Sequence, residues 1–280
     1  MDRAEFDRYG DWLARRWSVT IDASAALEHE PYDPGRPLGD VAARLGIVEE
    51  RDPVRGLTSD QATLFMGNAL RQEGERFRGR SVWEVGCGTG VLSALAGRLG
   101  ARRVFATDVD PAAVALARRT AERNDVALET AVASLFDDTP WGEPVDVLIA
   151  DLPQKPVNGA PLPLGQDGGP EGSRWLLPFL AGARERLAPG GRLYFFVHSL
   201  THPQSLVRLH ELYRPRLLST MWRIFENRSL SPILPYLAER RERGLCRYWD
   251  LPAGRGAFLC MAFSATRNLP GRLVSRRRKF

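Results

Sequence analysis

Residues 84–90 read Glu84-Val85-Gly86-Cys87-Gly88-Thr89-Gly90, a glycine-rich turn that closes the apolar segment Ser81–Val85. Glycines at alternate positions let the backbone turn tightly and approach a ligand closely, where a side chain would collide with it. The residues that follow, Val91–Leu99, have the composition of a buried helix. A strand, a glycine turn and a helix in this order predict the first unit of a doubly wound α/β sheet.

The same strand–helix pattern continues along the chain. Further strands are predicted at 103–107, 126–132, 145–150 and 192–197, and helices at 111–124 and 173–187. The apolar run Phe258–Phe263 predicts a late antiparallel strand. This alternation requires right-handed crossovers. The fold class is therefore predicted to be α/β, a Rossmann-like doubly wound and mainly parallel sheet.

The chain divides into three predicted parts. Residues 1–75 form a helical N-terminal extension, residues 76–270 the α/β domain, and residues 271–280 a basic tail. In the extension, Tyr9, Trp12 and Trp17 favour a helix docked on the core, with a substrate lid as the alternative. Residues 227–250 interrupt the final hairpin, and two roles stay open for them, the shaping of specificity and a dimer contact.

Composition limits the classes to which the chain can belong. Hydrophobic residues make up 44% and charged residues 26% of the 280 residues, which is typical of a globular protein. No apolar run approaches the roughly 20 residues of a membrane span, and the N-terminus has no signal-peptide pattern. The three cysteines show no close pairing, and no Cys/His cluster has zinc spacing. We expect a cytoplasmic protein with no metal and no membrane partner.

The net charge of +5 raises the question of a nucleic-acid partner. Only Lys155 and Lys279 are lysines, so the basic excess is almost entirely arginine. Because Ala, Gly and Pro are also abundant, the excess is interpreted as compositional bias. The predicted partner is a small-molecule substrate rather than a nucleic acid, and a homodimer stays open.

Asp108 ends the second predicted strand, where an acid meets ribose hydroxyls in dinucleotide-binding sheets. With residues 84–90, it resembles the class I S-adenosylmethionine-dependent methyltransferases, whereas the third glycine of the dinucleotide pattern is missing. The resemblance implies S-adenosylmethionine as cofactor. The family pattern also implies which residues bind it. They are Gly86, Cys87, Gly88 and Gly90 in the loop, Asp108 at the ribose, Val109, Ser134 and Leu135 at the adenine, and Glu84 near the amino group.

Asp151-Leu152-Pro153-Gln154 follows the fourth predicted strand. With the glycine-rich residues 168–172, it resembles an altered Asn/Asp-Pro-Pro-Tyr motif of the release-factor glutamine methyltransferases. Leu152 replaces the first proline and Gln154 the aromatic residue that stacks on the acceptor. The resemblance implies that Asp151 and Gln154 are the catalytic residues, with Asp151 orienting the acceptor nitrogen.

These residues predict N-methylation of a small metabolite or amino-acid-like acceptor. The alternatives are aminocarboxypropyl or cyclising use of the cofactor, methylation of a protein glutamine or RNA, and a non-catalytic binding module. For Asp151 the alternative role is a loop cap. His198, which follows a predicted strand end, is either a proton carrier or a structural histidine.

Overall fold

The protein was analysed as a computed structural model, which describes residues 41–159, 162 and 164–267. The predicted aromatic helix of residues 5–17 and the basic tail therefore lie outside the described residues.

One eight-stranded sheet organises the described chain. Its strands are β1 (Ser81–Val85), β2 (Arg103–Asp108), β3 (Leu128–Val132), β4 (Val145–Ala150), β5 (Leu187–His198), β6 (Tyr213–Glu226), β7 (Trp249–Leu251) and β8 (Arg255–Arg267). Their order is β3-β2-β1-β4-β5-β8-β6, and β7 pairs with β8. Strands β1 to β5 pair in parallel, and β8 runs antiparallel to its neighbours. The predicted α/β class with a late antiparallel strand is confirmed.

The strand order reverses between β1 and β4, because β2 and β3 extend the sheet to one side and β4 and β5 to the other. In doubly wound sheets the crevice beyond the carboxyl ends of the strands at such a switch point binds ligands. The residues that follow these ends are the glycine loop after β1 and Asp151 after β4. The topology thus brings together the two motifs that the sequence singled out.

Seven helices lie within the described part of the chain. They are α1 (Val41–Arg44), α2 (Gln61–Gln72), α3 (Val91–Arg98), α4 (Pro111–Glu122), α5 (Leu176–Arg186), α6 (Gln204–Leu212) and α7 (Leu234–Glu242). Helix α2 begins at an N-cap, Asp60, whose carboxylate accepts hydrogen bonds from the backbone amides of Ala62 and Thr63. Helices α6 and α7 and strand β6 were not predicted.

Helix α2 is part of the main core rather than a separate appendage. Its buried residues Phe65, Met66 and Leu70 belong to the same apolar cluster as Val82 of β1 and Val91 of α3. A boundary at residue 75 therefore divides a continuous core. The division into extension and domain stays a description of sequence pattern.

Several predicted element bounds differ from the structure. Strand β5 begins at Leu187 rather than at residue 192, so that Pro189-Gly190-Gly191 lies inside it, where the register with β4 shifts between Val145 and Val147. Strand β3 begins at Leu128 rather than at residue 126. The side chain of Val126 packs against Gly97 of α3, where a Cβ would lie 2.4 Å from it. No helix among the described residues is long and apolar enough to cross a membrane.

Candidate active site

A cavity of about 370 Å³ opens beyond the carboxyl ends of β1, β2 and β4. The cofactor end, as we call it, comprises residues 84–89, 108–110 and 133–135, whereas Gly90, also predicted to bind the cofactor, does not line the cavity. The acceptor end comprises Asp60, Asp151, Lys155, His198 and Arg223. The charges of Asp151, at the acceptor end, and of Asp108, at the cofactor end, both act on Glu84. The cavity thus joins the two predicted motifs in one continuous site.

The glycine loop owes its shape to three left-handed residues, Gly86, Gly88 and Gly90, with φ of 74°, 52° and 77°. A Cβ on Gly90 would lie 2.7 Å from the backbone of Ala117, and one on Gly86 2.8 Å from Leu152. A Cβ on Gly88 would meet no protein atom within 4 Å. Packing therefore requires glycine at Gly90, whereas the contact at Gly86 is with the far end of a flexible side chain. Gly88 leaves room on the cavity side for a ligand.

Asp108 holds the loop from the neighbouring strand. One carboxylate oxygen accepts from the backbone amide of Gly88 at 2.9 Å and the other from that of Asp110 at 3.0 Å. Burial raises the pKa of Asp108, while these amide hydrogen bonds oppose the rise. Each carboxylate oxygen has further acceptor capacity, which suits the paired donors of a ribose diol.

Glu84 lies almost fully buried beneath the loop and shares a short hydrogen bond with the hydroxyl of Ser93. Burial raises the pKa of Glu84 to about 8, the Ser93 hydrogen bond opposes the rise, and the charges of Asp151 and Asp108 add to it. At pH 7 the carboxyl therefore keeps its proton in the free protein. A cationic group placed beside it would favour the ionised form.

The remaining residues predicted for the cofactor also line the cavity. Val109 is 48% exposed, and Ser134 is exposed. Leu135 adopts a left-handed φ of 54°, a conformation that a bulky side chain rarely tolerates and that often occurs at functional sites. Cys87 is buried against Ala106, and burial raises the pKa of its thiol, so it has the environment of a packing residue.

Residues 55–59 form a wall of the site that the sequence did not reveal, and Glu49 connects this wall to the glycine loop. The buried carboxylate of Glu49 accepts hydrogen bonds from the Thr89 hydroxyl of the glycine loop at 2.6 Å and from the Ser59 amide at 2.7 Å. Arg51 pairs with the same carboxylate at 2.7 Å. Glu49 thereby ties the glycine loop to the residue that precedes the N-cap of α2. In the sequence, Glu49 is one of two adjacent glutamates before an irregular stretch, and this pattern matches no recognisable motif.

The acceptor end is a cluster of charged side chains. Asp60 pairs with Arg223 of β6 at 2.8 Å. Burial raises the pKa of Asp151 to about 7, and the charge of Asp60 adds to the rise. The charge of Arg223 and a hydrogen bond from the Thr63 side chain act in the opposite direction. Asp151 is therefore close to half ionised at neutral pH and able to accept hydrogen bonds or a proton from an acceptor amine.

The two other predicted residues of this end make structural contacts. The Gln154 amide donates to the Phe196 carbonyl at 2.9 Å, and its oxygen accepts from the Thr201 hydroxyl at 3.1 Å. His198 also contacts the Thr201 hydroxyl, through Nδ1 at 3.2 Å, and burial lowers its pKa to about 3. These hydrogen bonds favour a structural role for both Gln154 and His198. The catalytic role of Gln154 stays a prediction, and the polar atoms of its side chain are already hydrogen-bonded within the protein.

Aromatic side chains reach the cavity from outside the motif. Trp175, Phe196 and Phe258 line it, although the motif itself has no aromatic residue. The Trp175 indole is held by a hydrogen bond of 3.1 Å to the Asp167 carbonyl. These rings come from three separate elements, which is why the motif did not reveal them. Among the described residues, no group of three or more His, Cys, Asp or Glu side chains is arranged to hold a metal.

Comparison with known proteins places this site in a known class. The sequence profile of the family described as ribosomal protein L11 methyltransferase (PrmA) matches residues 64–158. A ribosomal protein L11 methyltransferase of Aeromonas hydrophila is 38% identical over 118 residues, 42% of this chain and 38% of that protein. One of Bordetella parapertussis is 33% identical over 195 residues, 69% of this chain and 54% of that protein. The chain spans about half or less of the length of these relatives.

Solved structures with a similar chain path include a ribosomal protein L11 methylase from Lactobacillus delbrueckii subsp. bulgaricus. It is 18% identical with a TM-score of 0.45, over 78% of this chain and 84% of that one. A methyltransferase from Pyrococcus furiosus is 17% identical with a TM-score of 0.47, over 77% and 89% of the two chains.

The matched segment, the glycine loop and the sheet identify a class I S-adenosylmethionine-dependent methyltransferase domain, and S-adenosylmethionine is the cofactor of that class. The closer resemblance to release-factor glutamine methyltransferases is not confirmed. The prediction of a small-molecule partner, with nucleic acid disfavoured, is wrong: the matched relatives are named for methylation of a ribosomal protein, a macromolecular substrate.

Proposed function

We propose that this protein transfers the methyl group of S-adenosylmethionine to a nitrogen atom of a protein acceptor. The observation that carries the proposal is the continuous cavity between Gly88 and Asp108 at one end and the Asp151 carboxyl at the other. The names of the matched relatives support a protein acceptor.

The residues of the cofactor end fit S-adenosylmethionine. Asp108 offers acceptor oxygens for the ribose diol, Gly88 leaves space for close backbone approach, and Val109 presents an exposed apolar side chain for the adenine. Glu84 is placed to meet the amino group. The bound cofactor supplies a methyl group already activated on a sulfonium, so the protein has little covalent chemistry to perform.

The acceptor end supplies position and charge. The Asp151 carboxylate accepts hydrogen bonds from the acceptor nitrogen, which fixes the direction of its lone pair. The negative charge also offsets the positive charge that develops on nitrogen. If the amine arrives protonated, a carboxyl with a pKa of about 7 takes that proton at neutral pH. Trp175, Phe196 and Phe258 reduce the water in this part of the cavity.

A product assay tests the proposal. The purified chain is incubated with methyl-labelled S-adenosylmethionine and, separately, with recombinant ribosomal protein L11, total ribosomal protein or ribosomal RNA. We expect S-adenosylhomocysteine as the nucleoside product and label in protein. Methylthioadenosine would show that another bond of the sulfonium breaks, and label in RNA alone would show a nucleic-acid acceptor. Absence of any S-adenosylhomocysteine binding in calorimetry would contradict the cofactor assignment itself.

Cofactor binding is expected to release a proton from Glu84 at pH 7. Its carboxyl is protonated in the free protein because burial raises its pKa to about 8, and a cofactor ammonium beside it favours ionisation. Calorimetric titration with S-adenosylhomocysteine in two buffers of different ionisation enthalpy measures the release. The affinity should rise as the pH approaches 8, where about half of the free protein has already lost this proton.

Glu84→Gln should abolish the release. Asp151→Asn serves as the control, since the pKa of Asp151 is also raised, to about 7, and its variant should retain most of the release. Equal proton release from the wild type and Glu84→Gln would remove Glu84 as the source.

A further inference from the structure

Lys155 lies at the acceptor end and has no role in the proposed reaction. Its backbone is fixed on both sides, because its amide donates to the Gln166 carbonyl at 3.2 Å and its carbonyl accepts from the Gly168 amide at 2.9 Å. The side chain lines the cavity and is largely removed from solvent. A positively charged side chain in such a position is stabilised by an anionic partner.

The hydrogen-bonding capacity of the Lys155 ammonium is mostly unused. Its Nζ donates to the Gln166 side-chain oxygen at 2.5 Å, a neutral partner, whereas an ammonium has three donors. Across residues 41–159, 162 and 164–267, no acidic side chain forms an ion pair with Lys155. An ammonium buried without an anionic partner is costly, and burial together with the charge of Arg223 lowers the pKa of Lys155 to about 8.

The carboxylate of Asp60, in the same cluster, is already committed elsewhere. Asp60 influences Lys155 through its charge, but its carboxylate accepts from Arg223 and from two backbone amides of the α2 N-terminus. Lys155 and Arg223 thus bring two positive charges to the cavity. Asp60 balances one of them, and the half-ionised Asp151 balances only part of the other. The positive charge of this end is therefore available to an incoming anion.

We propose that Lys155, assisted by the charge of Arg223, is an anion subsite that binds a carboxylate carried by the acceptor protein next to the nitrogen to be methylated. This inference rests on the proposed function. A singly charged carboxylate fits better than a phosphate, because Asp60 and Asp151 stand in the same cluster and repel a dianion. The carboxylate of the cofactor's own methionine part is the other source of the same chemistry. We assign the acceptor because Lys155 lies in the segment that follows β4, four residues after Asp151, whereas the glycine loop and Asp108 stand at the ends of β1 and β2.

The lysine content of the chain makes a direct test available. Lys155 and Lys279 are its two lysines, so protein grown with 13Cε-labelled lysine gives two lysine signals, and Lys279→Arg assigns them. The labelled protein is loaded with S-adenosylhomocysteine and titrated with acetate, with acetamide as the neutral counterpart and chloride at the same ionic strength. We expect acetate to shift the Lys155 signal and raise its pKa, and acetamide and chloride to leave both unchanged.

Other outcomes overturn the inference. A shift that appears with S-adenosylhomocysteine but not with methylthioadenosine, and does not change further with acetate, assigns the subsite to the cofactor's own carboxylate. No shift with acetate, or an equal shift with acetamide, removes the anion subsite. Calorimetry on the same samples distinguishes the two proposals. If S-adenosylhomocysteine does not bind, the proposed function fails. If it binds and acetate leaves the Lys155 signal unchanged, only this inference fails.

A peptide comparison then identifies the origin of the carboxylate. Acetyl-Ala-Glu-amide, acetyl-Ala-Gln-amide and acetyl-Ala-Gln with a free carboxyl terminus differ only in where a carboxylate stands. A shift with the first and not the second supports an acidic side chain, and a shift with the third supports a chain terminus. In Lys155→Met, which retains the apolar stem, acceptor KM should rise while the affinity for S-adenosylhomocysteine is unchanged.

Discussion

Replacing Asp151 with asparagine is expected to lower kcat roughly 100-fold or more, the usual range for loss of a positioned acid or base. Asparagine keeps the shape of the side chain and one acceptor oxygen, but it has no charge to offset the positive nitrogen and no capacity to take a proton. Asp151→Ala should lose at least as much. Turnover is measured with ribosomal protein L11 as acceptor, and S-adenosylhomocysteine affinity is measured separately and should change far less.

The same substitution should stabilise the fold at alkaline pH. The pKa of Asp151 rises from 3.8 to about 7 on folding, so the folded state binds this proton more tightly than the unfolded state. The free energy of unfolding therefore falls as the pH rises from about 4 to about 7, and the full penalty applies above that range. Asparagine cannot ionise, so Tm of Asp151→Asn at pH 8 should exceed that of the wild type, and the difference should vanish towards pH 4.

If Asp151→Asn has a low kcat but a Tm at least equal to that of the wild type, the loss of activity is not caused by unfolding. Asp250→Asn is a matched control, because Asp250 is exposed on β7 and pairs with Arg241 away from the cavity. Its kcat and Tm should stay close to those of the wild type. If Asp151→Asn and Asp151→Ala both retain normal turnover, Asp151 only caps the loop after β4.

The cofactor end could be predicted from sequence because its geometry is local. A left-handed loop after a strand needs glycine whatever surrounds it, and Gly86, Gly88 and Gly90 therefore mark it in the sequence. The ribose acid is equally local, since Asp108 closes the parallel strand paired with β1. Backbone constraints of this kind act between residues that are close in the chain or in adjacent strands.

The acceptor end could not be predicted in the same way. Asp60 and Arg223 are 163 residues apart, and they meet because α2 packs against the sheet where β6 joins it. Strand β6 was itself missed, because Pro215 and alternating arginines are typical of a loop. Proline is tolerated there because β6 pairs with β8 alone and forms the edge of the sheet.

Gln154 shows the limit of reasoning from a motif position. In the resembling family this place carries the ring against the acceptor, which led to the prediction of a catalytic residue. In the fold, the Gln154 side chain bonds instead to Phe196 and Thr201, while the rings of Trp175 and Phe258 line the cavity. A position in a motif determines where the backbone goes, but the direction of the side chain depends on neighbours that only the fold supplies.

Gly90→Ala is expected to lower mainly the stability of the protein, and Gly88→Ala mainly its affinity for S-adenosylhomocysteine. Both place a Cβ on left-handed backbone, which costs about 1–2 kcal/mol. At Gly90 the new atom also lies 2.7 Å from the backbone of Ala117, an overpacked contact worth about 1–3 kcal/mol more. Gly90→Ala should therefore lose roughly 2–5 kcal/mol of unfolding free energy in urea, by the sum of these terms.

At Gly88 the new atom meets no protein atom within 4 Å and projects into the space assigned to the ligand. Gly88→Ala should therefore retain most of its stability and weaken S-adenosylhomocysteine binding by about 10-fold or more, since a misplaced methyl group in a tight contact costs upwards of about 1.4 kcal/mol. Gly142→Ala, at an exposed glycine with ordinary φ and open surroundings, is the control for both measurements. Tight cofactor binding by Gly88→Ala would mean that the ligand does not pass over this loop.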